Sequence, residues 1–226
     1  MMPEAPGTTL ITGGTRGLGR ALSLRAARAG MEVLALYRSD EEAARALLRE
    51  AAGLPGTVRC VRHDVTQPGF PEPPEGGRLV FIHAAAVPFR PAPLHLLKDE
   101  DFHDQWRVAV LGFLNGLRVV LRPMVRSGGG TVVAVLTSAL AGAPPRGFGA
   151  YAAAKAALQE ITGSVGTEYG PRGVRALCVS PGFMATDFSA SWDERIRAAV
   201  CGSQVGGALA PDAVAEGIWR LVDPPD

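Results

Sequence analysis

The chain has 226 residues, 47% of them hydrophobic, which suits one globular domain with an ample core. Its formal net charge of +1 gives no reason to expect nucleic acid or an anionic membrane as a partner. No apolar run approaches the roughly 20 residues of a membrane span. The start M-M-P-E-A-P lacks the charged and apolar regions of a signal peptide, and Cys60, Cys178 and Cys201 show no metal-ligand spacing. The expectation is a cytoplasmic protein without a metal.

Apolar runs near 8–12, 32–37, 57–61, 79–85, 131–137 and 174–179 alternate with helical stretches. That alternation predicts an α/β single domain over 1–226, a doubly wound parallel sheet of six strands covered on both faces. The first strand runs into G-G-T-R-G-L-G, followed at once by a helical pattern. Gly13, Gly17 and Gly19 allow a tight turn and close backbone approach to a pyrophosphate, with Thr15, Arg16 and Leu18 in the same loop. A pyrophosphate sits well at a helix N-terminus, so this strand, turn and helix predict a Rossmann-like dinucleotide site.

The second strand, E-V-L-A-L-Y, ends on Tyr37, where an acid would select the ribose 2′-hydroxyl of NAD, and Arg38 and Ser39 follow. Arg38, with Arg16 in the glycine loop, can take a 2′-phosphate through charge-assisted bonds, so the expected cofactor is NADPH. Ser39-x-x-Glu42 reads as a capping box for a helix over 40–52, and Gly30 and Gly53 stand where helices stop. Beyond the third strand, T-Q-P-G-F-P-E-P-P-E-G-G-R carries four prolines and three glycines, which forbid a helix. The reading there is a prolyl loop over the sheet, with a subunit contact as the alternative.

A long amphipathic helix is expected over 99–126, stopped by S-G-G-G. Its Arg118, Arg122 and Arg126 recur at every fourth residue, either a solvated face or a docking stripe for an acidic carrier protein. The fifth strand ends on Ser138, and thirteen residues later comes Tyr151-Ala-Ala-Ala-Lys155. Only two of the 23 basic residues are lysines, so lysine at 155 has a chemical reason. A compact ammonium at i+4 shares a helix face with the phenol and is expected to favour the phenolate, making Tyr151 a proton donor and acceptor near neutral pH. Past the sixth strand, Phe183, Met184, Phe188 and Trp192, facing Leu140, Pro144 and Phe148, predict an apolar pocket under a lid at about 183–205. Ser191-x-x-Glu194 is read as a cap for a short helix in the lid, and a last helix starts near Pro211.

The spacing T-G-x-x-x-G-x-G from Thr12 to Gly19, then Asp64-Val65, Ser138, Tyr151, Lys155, Pro181-Gly182 and Thr186, resembles the short-chain dehydrogenase/reductase family. It is most similar in look to the β-ketoacyl carrier-protein reductases. The resemblance runs from about Thr8 to Thr186. It implies that Tyr151 protonates a carbonyl oxygen, that Ser138 hydrogen-bonds that oxygen, and that Lys155 holds the nicotinamide ribose. It also implies Asp64 at the adenine and Thr186 at the nicotinamide end, with Val65, Pro181 and Gly182 beside them. The implied activity is NADPH-dependent reduction of an uncharged ketone or β-ketoacyl thioester, free or carried by a carrier protein.

Three departures qualify the resemblance. The family's N-N-A-G is here His83-Ala84-Ala85-Ala86, so only backbone groups of Ala84 and Ala85 are left to line the pocket. The family's active-site asparagine falls on Ala109, and the single asparagine, Asn115, lies nearly two turns further on. The usual seventh strand and glycine-rich tail are absent, which leaves a dimer through the two long helices as the expected assembly. Ala109 and the H-A-A-A run keep a second reading open, a catalytically weak cofactor-binding sensor or assembly partner.

Overall fold

The computed structural model describes residues 7–74, 77–202, 204 and 206–223. Six parallel strands form one sheet: β1 (Thr8–Thr12), β2 (Glu32–Tyr37), β3 (Thr57–Arg62), β4 (Leu79–His83), β5 (Gly130–Val135) and β6 (Val174–Val179). Their order is β3-β2-β1-β4-β5-β6. Each lies within two residues of an apolar run in the sequence; β1, β4 and β5 are buried at almost every position, as strands covered on both faces are, whereas the edge strands β3 and β6 expose Thr57, Arg59 and Arg62, and Arg175 and Cys178. The expected fold class is what the structure has.

Alternate strand residues feed two separate cores. Ile11, Val33, Ala35, Val80, Ile82 and Val133 face α1 (Gly17–Arg28), α2 (Glu41–Ala51) and the C-terminal α7 (Pro211–Val222). Leu10, Leu34, Leu36, Phe81, Val132 and Ala134 face α4 (Gly112–Arg126) and α5 (Gly149–Tyr169). The register of the pleat therefore decides which face each helix covers. Helix α4 continues α3 (Asp99–Trp106) through a π-helical turn at Arg107–Leu111.

This joined helix, Asp99–Arg126, is long enough, and in one window apolar enough at a mean hydropathy of 1.5, to meet the bare criteria for a membrane span. The sequence reading allowed for no such run. Its apolar residues Phe113, Leu117, Val120 and Met124 are packed on the sheet, which accounts for the composition.

Helix α2 is capped by Asp40, whose carboxylate accepts the Ala43 N–H at 2.9 Å, and not by the predicted Ser39. The prolyl segment between β3 and β4 has no helix among its described residues. Phe70 from that segment is buried edge-on against Phe81 and His63, so one ring covers the face that a crossover helix would have covered. The segment thus lies over the sheet as a loop.

Candidate active site

The C-terminal ends of β1, β2, β4, β5 and β6 open into one cavity of about 800 Å³. A crevice at the carboxyl ends of parallel strands is where such sheets hold ligands. At one end lies the glycine turn. A Cβ on Gly19 would stand 2.0 Å from the Gly13 carbonyl oxygen, and Gly13 itself has a φ of +65° with Ala85 backbone 3.0 Å from where its Cβ would be. Only glycine permits this closeness. Arg16, the N-cap of α1, makes no side-chain cap, and the first turn of α1 contains no acidic residue, which leaves it open to an anion. Gly13, Thr15, Arg16, Gly17, Leu18 and Gly19 all line the cavity and fit a pyrophosphate.

Tyr37, Arg38, Ser39 and Asp40 border the same end, as do Asp64 and Val65. The Arg16 guanidinium lies 3.4 Å from Asp40 and 3.8 Å from Asp187, so this half of the cleft is a ring of charge. Burial pushes the Asp64 carboxyl up, but the Thr66 N–H and hydroxyl and the charge of Arg38 outweigh it and hold it below the usual range.

The floor of the cleft is built on His83, where the structure finds bracing that the sequence reading took to be lost. The Thr12 hydroxyl accepts the N–H groups of Ala84 and Ala85, each at 3.1 Å, so its own proton goes to His83 Nδ1 at 2.9 Å. His83 Nε2–H then donates to the Val108 carbonyl at 3.1 Å, inside the π-helical turn. Burial, reinforced by the charge of Lys155, pushes this imidazole down to about 3, which keeps it neutral. One ring thus connects β1, the Ala84-Ala85 floor and the long helix.

Helix α5 presents Tyr151, Lys155, Leu158, Thr162 and Val165 on its buried stripe. Lys155 Nζ donates to the Val135 carbonyl at 2.6 Å, and it stands 6.0 Å from the centre of the Tyr151 ring. Burial pushes the amine down to about 8 and the phenol up to about 12, the Thr137 hydroxyl at the phenol pulling the latter the other way. The structure therefore does not give the expected acidification of Tyr151 by Lys155. Exclusion of water from both groups overrides it. Ser138 is exposed on the cavity wall, its N–H bonded to the Pro181 carbonyl at 2.9 Å.

Opposite the charged end the wall is aromatic. Phe148, Phe183, Met184, Phe188 and Trp192 line it, as expected from the sequence, along with Pro181, Gly182 and Thr186. Leu140 and Pro144 do not. Leu140 turns into the core against α5, and Pro144 faces solvent, because the short 3-10 turn Ser138–Leu140 rotates the following loop so that Ala143 and Pro145 meet the cavity instead. The segment expected as a lid contains α6 (Glu194–Gly202); residues 203 and 205 lie outside the described residues. Asp193, not Ser191, starts α6, its carboxylate accepting the Arg195 N–H at 2.8 Å.

Ala109 is buried in the π-helical turn and is absent from the cavity wall; its neighbour Val108 is there. Asn115 donates to the Val65 carbonyl at 2.9 Å and accepts from Arg118, so it is no substitute for the missing asparagine. Among the described residues no group of three or more His, Cys, Asp or Glu could hold a metal. Sequence reasoning missed Phe89, whose ring stacks on Tyr151, and Gln204, which bonds the Phe183 backbone; neither sits in a motif. His83 was singled out only for what it lacked.

Residues 13–224 match a family model described as enoyl-(acyl carrier protein) reductase. The chain is 29% identical over 186 residues to the 3-oxoacyl-[acyl-carrier-protein] reductase FabG of Aggregatibacter actinomycetemcomitans, covering 80% of this chain and 77% of that protein. It is 30% identical over 207 residues to a chloroplastic NADPH-dependent aldehyde reductase-like protein of Arabidopsis thaliana, covering 82% and 75%. The fold superposes with a TM-score of 0.82, at 22% identity, on a crystal structure of 3-ketoacyl-(acyl-carrier-protein) reductase from Brucella melitensis complexed with NADH, covering 98% of this chain and 92% of that one.

Proposed function

Because the chain belongs to the short-chain dehydrogenase/reductase family, an oxidoreductase family acting on CH–OH and carbonyl groups, we propose that it is an NADPH-dependent ketoreductase. The observation that carries this reading is the continuity of the cleft. One cavity joins the glycine turn to Ser138, Tyr151 and Lys155. A dinucleotide bound here would supply the hydride for the carbonyl carbon. Gly13, Gly17 and Gly19 with the first turn of α1 would hold its pyrophosphate, and Asp64 and Val65 would flank its adenine. Arg38 and Arg16 take the 2′-phosphate, for which Arg16 exchanges its contact with Asp40. One relative is named for NADPH and one neighbouring structure holds NADH, so the preference rests on these two arginines.

Tyr151 passes its phenolic proton to the carbonyl oxygen, Ser138 donates a hydrogen bond to that oxygen, and Lys155 orients the nicotinamide ribose. With the phenol held up by burial, Tyr151 starts each turnover protonated, as a donor should. The apolar wall favours an uncharged ketone or a β-ketoacyl thioester, and 183–205 acts as the lid. The test is NADPH oxidation against a panel of ketones and β-ketoacyl thioesters: turnover with any of them supports the reading.

A second reading, a cofactor-binding sensor or assembly partner with weak catalysis, is favoured by one observation. Tyr151 is only 8% exposed, and Phe89 stacks on its ring. Tight NADPH binding with no turnover over the whole panel would decide for it.

A further inference from the structure

Tyr151 stands in a shell of aromatic rings that its proton-donor role does not require. Phe89 stacks on it nearly parallel, at 5.0 Å and 17°. Phe188 is tilted against it at 5.5 Å and Phe148 is edge-on at 6.1 Å. Trp192, also on the cavity wall, packs against the group, 5.0 Å from Phe148 and 5.3 Å from Phe89. These rings come from three separate parts of the chain. They are held in place by directional bonds: Trp192 Nε1–H donates to the Phe89 carbonyl at 2.9 Å, and the Phe148 carbonyl accepts the Ala152 N–H at 2.8 Å in the first turn of α5.

A packed core would bury them all. Here Phe89, Phe183 and Phe188 are only half-buried, and Phe183 and Phe188 face the cavity. Apart from Lys155, whose amine beside Tyr151 is bonded to the Val135 carbonyl, the charged side chains of the cleft lie elsewhere: Arg16, Arg38, Asp40 and Asp64 are at the dinucleotide end, and Asp187 is turned toward Arg16. A charged substituent entering among Phe148, Phe183, Phe188 and Trp192 would lose its water, and these rings offer it no counter-ion.

We propose that this site selects aryl ketones, in which the carbonyl is bonded directly to an aromatic ring. The inference rests on the ketoreductase reading and narrows its substrate. The shell begins at the ring of the proton donor itself, so the group next to the reacting carbonyl carbon is the one that meets it. A flat ring offers both a face and an edge to such walls and gains about two- to thirteenfold per well-placed aromatic pair over the same buried area of saturated carbon. A flexible acyl chain gains no such term and also loses rotamer freedom on entry. The reaction is the balanced one of the parent reading. The carbonyl carbon receives two electrons and one hydrogen from the reduced nicotinamide, the oxygen receives the Tyr151 proton, and a secondary benzylic alcohol and oxidised cofactor leave.

The experiment compares acetophenone with cyclohexyl methyl ketone, its saturated counterpart, and with the N-acetylcysteamine thioester of acetoacetate, using the full chain and NADPH. The expected kcat/KM for acetophenone exceeds that for the cyclohexyl ketone by about tenfold or more, and Phe188→Leu reduces that ratio several-fold. Equal or inverted preference, or a ratio that Phe188→Leu leaves untouched, overturns the inference while the ketoreductase reading stands. Tryptophan fluorescence titration of the NADP-loaded protein covers the remaining case, in which nothing is turned over. Tighter binding of acetophenone then upholds the aromatic selectivity though the ketoreductase reading falls, and equal binding removes both.

Discussion

The two halves of the cleft are made in different ways. The dinucleotide half is local: the turn from Gly13 to Gly19, the run Tyr37 to Asp40 and the pair Asp64-Val65 each follow a strand directly, and the chemistry of each is complete within a few residues. The aromatic half is assembled across the chain. Phe89 and Trp192, 103 positions apart, share a hydrogen bond, and Phe148 reaches both from the start of α5. Binding a common cofactor needs a conserved geometry of backbone and charge, whereas shaping a substrate needs only volume and surface, which any apolar residue in range can supply. The seam between the halves is α5, whose one buried stripe carries Tyr151 and Lys155.

The seam is the place to strike first. Tyr151→Phe keeps the ring within the aromatic shell and removes only the hydroxyl. We expect kcat to fall by about 10²–10⁴-fold, the usual worth of a positioned general acid, with NADPH affinity unchanged by fluorescence titration. A variant as fast as the parent would remove Tyr151 from the chemistry and leave both halves without a common centre.

Lys155 tests the seam through stability. In the folded protein burial pushes its amine down to about 8 from an ordinary 10.5, because it disfavours the charge. Between these values the unfolded chain binds more protons than the folded one, so stability rises as pH rises through that window and is lost as pH falls toward 8. Tyr151 works the other way, but only above its ordinary value of 10.0, where the folded phenol keeps a proton that the unfolded chain gives up. Urea denaturation of the parent relative to Lys155→Met should therefore show a gain on the order of 2 kcal/mol from pH 8 to 10. A flat difference would mean that the amine is hydrated.

Arg38→Ala touches the polar half alone. A charged hydrogen bond contributes about 1.5–3 kcal/mol, so the variant should bind NADPH about ten- to a hundred-fold more weakly and NADH as before. Equal affinity of the parent for both cofactors would assign Arg38 to solvent instead.

The same division explains what could be read from the sequence. All six strands and the helix starts near 17, 99 and 211 follow from apolar period and punctuation, since these are local signals. Caps were misplaced by one or two residues, at Asp40 and Asp193, because serine and aspartate compete for the same N–H groups and only the backbone decides. Leu140 and Pro144 belong with Phe148 to the apolar loop expected opposite the lid, but after the 3-10 turn at Ser138–Leu140 only Phe148 of the three lines the cavity. Phe89 had no signal at all, being one ring in a prolyl loop, and His83 looked like a loss because an imidazole does the work of an amide only once Thr12 and Val108 are brought to it.

The smallest effect is expected at Ala109, which lies outside both halves. The family asparagine would be restored by Ala109→Asn, yet this methyl is buried in the π-helical turn and does not reach the cavity wall, while the carbonyl of its neighbour Val108 is already held by His83. A new amide there enters packed surroundings, and each polar group left unpaired costs about 1–3 kcal/mol. The variant should accordingly be slightly less stable, turn over within about tenfold of the parent, a barrier change below about 1.4 kcal/mol, and bind NADPH alike. His83→Ala is the informative contrast, since it would leave the Thr12 hydroxyl and the Val108 carbonyl without their partner and loosen the Ala84-Ala85 floor under the dinucleotide. If His83→Ala weakens NADPH binding while Ala109→Asn does not, the bracing of this cleft has moved from the helix to the strand. Strong activity appearing only in Ala109→Asn would show instead that the missing amide is decisive and that the protein as it stands is the cofactor-binding scaffold.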